Sequence, residues 1–258
     1  MAPNAFLARI TGVIARIDET QQEAIDTAAT WVADAIAADH HAFLFGAGHS
    51  FLAVMDTYPR IGSFPGWVPI HELSTSYMPG VLGNQGLRQV LYLERVEGFG
   101  RLVMENYRLS EEDVMVVISN SGVNPMGVDV ALVAREHGLK TVCVTSRAHS
   151  LAGTPRHSSG QRLLEACDLV IDTCVPAGDT LVDVPGFGRV ASASTIGACV
   201  VMQALVAATA ELLAGRGHRT PVFPSHNAGM AADEQEAAER MVDDWFAEHA
   251  RRTAGLTR

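Results

Sequence analysis

The feature that most constrains this chain is a set of short runs, each about five residues long and apolar almost throughout, separated by stretches with helical spacing. They fall at 42–45, 67–71, 114–118, 140–145 and 169–173. A strand with one wet face alternates apolar and polar residues. A run with no polar phase has both faces covered, which is the signature of a parallel sheet between two helical layers. The intervening segments supply the helices. Phe6, Ile10, Ile14, Ile17, Ile25, Ala28, Val32 and Ile36 recur at helical spacing, predicting two helices or one bent helix over 4–38. Further helices are expected at 87–107, 128–137 (ended by Gly138), 161–166, 192–214 and 231–250, with loops at 74–86, 147–160 and 218–229. No internal repeat or low-complexity linker divides the chain. The expected organisation is one domain over 1–258, with N-terminal helices at 1–40, an α/β core at 41–216, and a C-terminal loop and helix at 217–258.

Composition excludes several classes. The net charge is −10, and the nearest approach to a basic cluster is Arg251–Arg252, so no nucleic-acid partner is expected. The first 20 residues lack the basic start and apolar core of a secretion signal. Ile196–Leu213 is the most membrane-like segment, but Gln203, Thr209 and Glu211 interrupt it, so it reads as a central helix of a soluble chain rather than a membrane span. Cys143, Cys167, Cys174 and Cys199 form no CxxC pair, consistent with a reducing, cytoplasmic compartment. The histidines His40, His41, His137, His149, His157, His218 and His249 show no ligand spacing, so they read as polar surface groups and no metal or other cofactor is expected.

Two strand-to-helix loops share a design. FGAGHSF (Phe45–Phe51) follows the first strand and SNSGVNP (Ser119–Pro125) follows the third. In each, glycine allows a tight turn and a close backbone approach, and short polar side chains precede a helix. Asn124 is placed as N-cap and Pro125 as the first helical residue. The free N–H groups of such a helix start attract phosphate without a lysine. Neither loop is a Walker A sequence, neither fits GxGxxG, and GAGHS is not a GxSxG elbow. A third element, GRVASASTIGA, places Ser192, Ser194 and Thr195 at the start of the long apolar helix, where their hydroxyls are expected to bind substrate together with the two loops. If the first and third strands are neighbours where strand order reverses, the loops line one crevice.

GAGHS, VVISNSGVNPMGVDVALVAREHGLKTVCVTS and CDLVIDTCVPAGD together resemble a sugar isomerase (SIS) domain. They are most similar to a single-domain branch with an SNSG-x-NP loop. The resemblance implies a three-layer αβα sandwich around a five-stranded parallel sheet in flavodoxin-like order, with helical N- and C-terminal extensions. It also implies a homodimer or dimer of dimers with sites at the subunit interface, and a sugar phosphate as ligand. Carried over by position, Ser50, Ser119, Ser121 and Asn124 are the phosphate and sugar contacts, with Gly48, His49, Asn120 and Gly122 completing the two loops. In the commoner S-x-S-G-x-T/S-x-E pattern, threonine or serine stands where this chain has Asn124, and glutamate stands where it has Met126.

Aldose–ketose isomerisation moves a proton on the carbon beside a carbonyl and needs a carboxylate or imidazole within reach. Glu72, in PIHELSTS at the exit of the second strand, is the expected base; the neighbouring His71 would point to the opposite face. His226, in TPVFPSHNAGM, is the expected acid or ring-opening residue, acting within its own subunit or across a dimer. The expected reaction is phosphosugar isomerisation through an enediol(ate). The alternatives are a phosphosugar etherase or lyase, and a non-catalytic phosphosugar sensor.

Overall fold

The computed structural model describes residues 5–76, 84–225 and 232–257. The apolar runs become the strands β1 (Ala42–Gly46), β2 (Trp67–Pro69), β3 (Val114–Ile118), β4 (Lys140–Thr145) and β5 (Leu169–Asp172). All are parallel, in the order β2-β1-β3-β4-β5. This is the expected flavodoxin-like order. Successive side chains point to opposite faces. Ala42, Leu44, Val114, Val116, Ile118, Val142 and Val144 join one core cluster, and Phe43, Phe45, Met115, Val117 and Cys143 the other. With both faces buried, an apolar residue is required at almost every position of these runs.

The first cluster is closed by α1 (Ala5–Ala37), α2 (Ser50–Thr57) and α8 (Ser194–Gly215). The second is closed by α4 (Phe99–Met104), α5 (Pro125–Glu136) and α7 (Leu163–Ala166). The N-terminal segment is one continuous 33-residue helix, not two. Its polar stretch after Ile17 does not break it, because Ile17 and Ile25 are eight residues apart and stay on one face, both buried. α8 is long and apolar enough to cross a bilayer. Here Gly197, Ala198, Val201, Met202, Leu205 and Leu213 are buried in the core shared with α1.

Three local expectations are corrected. The segment 87–107 divides into α3 (Asn84–Leu93) and α4, because Gly98 turns the chain at φ +87°. The 147–160 loop opens with a helix, α6 (Arg147–Ala152), capped by Ser146. Ser192 does not start a helix: Thr180–Val184 (β6) and Gly188–Ser192 (β7) pair as an antiparallel hairpin, with Thr180 opposite Ser192.

The C-terminal helix α9 (Ala232–Thr253) closes onto α1 and the end of α2. Trp245 is buried, stacks on Tyr58 and on His249, and donates its indole N–H to the Ser63 carbonyl at 3.1 Å. The basic pair near the terminus is consumed within the fold. Arg251 makes a two-pronged contact with Asp39 (2.6 and 2.7 Å), and the buried Arg252 donates to the Ile36 carbonyl at the end of α1 (3.1 Å) and to Glu248 (2.8 Å). Burial pushes the Tyr58 phenol well above its ordinary value of 10.0, so it stays protonated, and its hydroxyl hydrogen-bonds Nδ1 of His249 at 2.5 Å.

Burial also lowers the His249 pKa below 6.5, so the folded state favours the neutral ring. The unfolded chain takes up the proton first as pH falls. This contribution to stability is therefore complete above 6.5 and is lost as pH falls through and below that value. Urea midpoints between pH 8 and pH 5 should decline less in His249→Gln than in the parent, because glutamine can hydrogen-bond the Tyr58 hydroxyl in either direction without titrating. Equal declines would remove His249 as a contributor.

Candidate functional site

Strand order reverses between β1 and β3, which pair directly with Gly46 opposite Ile118. The loop after each strand therefore leaves the sheet at the same level and on the same side, where ligands sit in open α/β sheets. Between the loops lies a cavity of about 230 Å3. Ser50 lines it from the start of α2, Ser119, Asn120 and Ser121 from the second loop, and Asn124 from the start of α5. Phe45, Ile118 and Met126 contribute apolar wall.

Local sequence explains the shape. A Cβ on Gly46 would stand 2.8 Å from the carbonyl carbon and oxygen of Ser50, so only glycine lets the first turn of α2 close over the strand end. Gly122 has φ +59°, a left-handed conformation. Its N–H donates to Ser119 Oγ at 3.2 Å and its carbonyl accepts from Leu163 N–H at 2.8 Å. Asn124 and Pro125 start α5 as expected, with Asn124 extended and Pro125 in the first turn. The Asn124 side chain caps no N–H of its own helix; its Oδ1 instead accepts from Arg156 at 2.6 Å. Among the described residues, the hydroxyls of Ser50, Ser119 and Ser121 donate to no partner, nor do the backbone N–H groups of Asn120 and Ser121. These donors and the start of α5 lie around the same cavity, and no lysine is among its lining residues.

Not all expected residues meet here. Gly48 is buried at φ +58° and His49 is exposed; neither lines the cavity. Gly48 N–H holds the Thr75 carbonyl at 2.8 Å, which ties the β1 loop to the segment after β2. Ser194 and Thr195 line a second cavity of about 10 Å3, which also contacts Ser50 and Asn120. The Ser194 hydroxyl is engaged, donating to Asp179 at 2.8 Å, and the Ala193 and Ser194 N–H groups donate to the same carboxylate. The α8 start is therefore neutralised from within. Ser192 is exposed on β7 and lines neither cavity. The Glu72 carboxylate accepts from Ser74 N–H at 3.0 Å and from the Ser74 hydroxyl, and it does not line the cavity. The Glu72 carbonyl accepts from Thr75 and Ser76 N–H, forming the turn that meets Gly48. His226 lies outside the described residues.

Two lining residues escaped the sequence reading. Glu94, just past α3, enters the cavity wall because its carbonyl accepts the Met126 N–H at 3.2 Å, fastening the turn to the first turn of α5. The buried Asp129 secures the same turn by accepting from Gly98 N–H (2.7 Å) and Gly100 N–H (3.2 Å). Burial raises the Glu94 pKa, opposed by Arg95, Arg156 and a hydrogen bond from Asn124. His149 of α6 lines the same cavity. Of the other histidines read as surface groups, His157 is largely buried against Asp129 at 3.2 Å, and His249 packs in the Trp245 cluster. Among the described residues, no group of three or more His, Cys, Asp or Glu side chains is arranged for a metal.

Hydroxyls and amides thus line a cavity at the switch point of a doubly wound α/β sheet, the place where ligands sit in such folds. The chain belongs to the SIS domain family, whose signature matches residues 5–146. A UPF0309 protein of Halalkalibacterium halodurans is 33% identical over 83% of this chain and 87% of its own length. Another, of Streptomyces coelicolor, is 37% identical over 86% and 87%. In fold, the chain is similar to a phosphoheptose isomerase from Francisella tularensis, with TM-score 0.52 and 14% identity over 81% of this chain and 96% of that one. A phosphoheptose isomerase from Neisseria gonorrhoeae gives TM-score 0.51 and 16% identity over 80% and 95%.

An alanine at position 122 would be forced into the left-handed region, with its Cβ 3.2–3.3 Å from Ser150, Leu163 and Thr145 side-chain atoms. Gly122→Ala should lower unfolding free energy by about 1–2 kcal/mol in urea titrations. An unchanged midpoint would show that the loop relaxes without strain.

Proposed function

We propose that this protein is a phosphosugar isomerase that interconverts an aldose and a ketose phosphate through an enediol(ate), with Glu94 moving the proton. One observation carries the reading: a carboxylate whose pKa is raised by burial shares a small cavity with the free donors of Ser50, Ser119 and Ser121. The serine hydroxyls and the α5 N-terminus would receive the phosphate. A proton alpha to a carbonyl is poorly acidic, and a base with its pKa moved toward neutrality is suited to remove it. Glu94 would take that proton from one carbon and return it to the neighbouring carbon, so no net proton is consumed. The similarity in fold to phosphoheptose isomerases supports the ligand class. Glu72, held by Ser74, would act as a positioning residue for the Gly48 turn.

The decisive measurement is exchange of the carbon-bound proton with deuterium from solvent, followed by NMR on the sugar phosphate that most raises the melting temperature. Glu94→Gln should reduce exchange by about 10²–10⁴-fold while retaining the thermal shift. Exchange that survives in this variant would return the role to another group, and binding without exchange in the parent would make the protein a sensor. In the parent, the exchange rate should rise with pH as Glu94 ionises, with a midpoint above the ordinary glutamate value of 4.5.

Ser121→Ala should weaken a phosphorylated sugar about 10- to 100-fold, the worth of one hydrogen bond to a charged group, and leave the unphosphorylated sugar nearly unchanged. Equal weakening of both would remove Ser121 from the phosphate cradle.

A further inference from the structure

Glu94 and His149 are the titratable side chains among the residues lining the cavity between the two loops. We infer that His149 is the hydrogen-bond donor to the substrate's carbonyl oxygen, acting as a neutral imidazole with its proton on Nε2. This rests on the isomerase reading above and adds the electrophile that the reading lacks.

The assignment begins with the ring's tautomer. The backbone N–H of Gly178 points at His149 Nδ1 at 3.3 Å. A backbone N–H can only donate, so Nδ1 must offer a lone pair. The Asn120 amide nitrogen lies 3.3 Å from the same Nδ1 and supplies a second donor. With Nδ1 accepting, the proton of the neutral ring sits on Nε2.

The backbones that carry both donors are fixed. The Asn120 main-chain carbonyl accepts from Ser146 N–H at 3.2 Å and from the Thr145 hydroxyl at 3.1 Å. Gly178 sits at φ +87° in the turn between β5 and β6, where Asp179 holds the start of α8. The His149 backbone N–H donates to Ser146 Oγ at 3.0 Å, anchoring the residue in the first turn of α6. Three segments thus converge on one imidazole. Asn120 links the anion loop to it directly, because the same residue also lines the cavity.

A neutral imidazole suits the reaction. The carbonyl oxygen gains negative charge as Glu94 removes the neighbouring carbon's proton, and a hydrogen bond from Nε2–H would stabilise that charge. The Nε2 proton passes to the carbonyl oxygen as the enediol forms. The adjacent hydroxyl then returns its proton to Nε2, and the ring ends as it began.

The test has a readout independent of turnover. Imidazole ¹⁵N spectra of the full-length protein at neutral pH, with His149→Gln used to identify the resonances, should show Nδ1 unprotonated and Nε2 protonated. A proton on Nδ1, or an imidazolium, would overturn the inference even if the parent catalyses exchange. With the best-binding sugar phosphate, His149→Gln should slow carbon-proton exchange by about 10²–10⁴-fold and keep the thermal shift within a few-fold of the parent affinity. Undiminished exchange, or loss of binding equal to the loss of exchange, would also overturn it. Should the parent neither bind nor exchange any sugar phosphate, the isomerase reading itself fails, and this role for His149 fails with it.

Discussion

The parallel pairing of β1 with β3 is the constraint on which the rest depends. Each strand is buried on both faces, so neither can be edge or surface, and their apolar side chains dock into both helical layers. Once Gly46 lies opposite Ile118, the turns after the two strands must leave side by side. The cavity is a consequence of that register. Glycine then sets its depth: a Cβ at Gly46 would collide with the Ser50 backbone, and the left-handed bend at Gly122 turns the serine loop back over the strand end.

The electrostatics of the site come from short-range groups rather than net charge. A net charge of −10 does not set the local field here, because hydroxyls and the N–H groups of a helix start act over a few ångströms. The α8 start shows the opposite arrangement: Asp179 occupies its N–H groups and the Ser194 hydroxyl. Glu94 lies in a balance, with burial disfavouring its charge and Arg95, Arg156 and Asn124 restoring part of it. Asn124 connects two members of this set, since its Oδ1 accepts from Arg156 while its side chain also hydrogen-bonds Glu94. The commoner loop pattern carries a glutamate where Met126 stands. Here Met126 lines the cavity beside a carboxylate brought in by a different segment.

Much of this was legible before any coordinates. The strands, the two glycine loops, Asn124–Pro125 as a helix start and the core helix near 196–213 all depend on neighbours in sequence, through periodicity, turn chemistry and caps. The misreadings share a different cause. Ser192 looked like a helix start because the apolar run begins nearby, but its backbone pairs with Thr180 across a hairpin. Ser194 carries the right hydroxyl, yet Asp179, 15 residues earlier, takes it. Glu94 was hidden inside a segment that reads as one helix; its place is set by the contact of its carbonyl with Met126, 32 residues onward. His149 gave no metal spacing and so looked like surface, until Gly178 and Asn120 were brought to its ring.

The sequence by itself determined the class of the protein: a parallel sheet between helices, with two serine-bearing loops that follow neighbouring strands. Those features are written in residues a few positions apart, where backbone geometry and burial act locally. Only the tertiary structure decided which titratable groups line the cavity between those loops. That choice depends on long-range contacts, in which Met126 N–H holds Glu94 and Gly178 N–H orients His149. Two carboxylates of the same local kind were separated in this way, Glu72 turned to Ser74 and Glu94 to the cavity, because desolvation and hydrogen-bond partners are properties of the assembled crevice and not of either residue's neighbours in the chain.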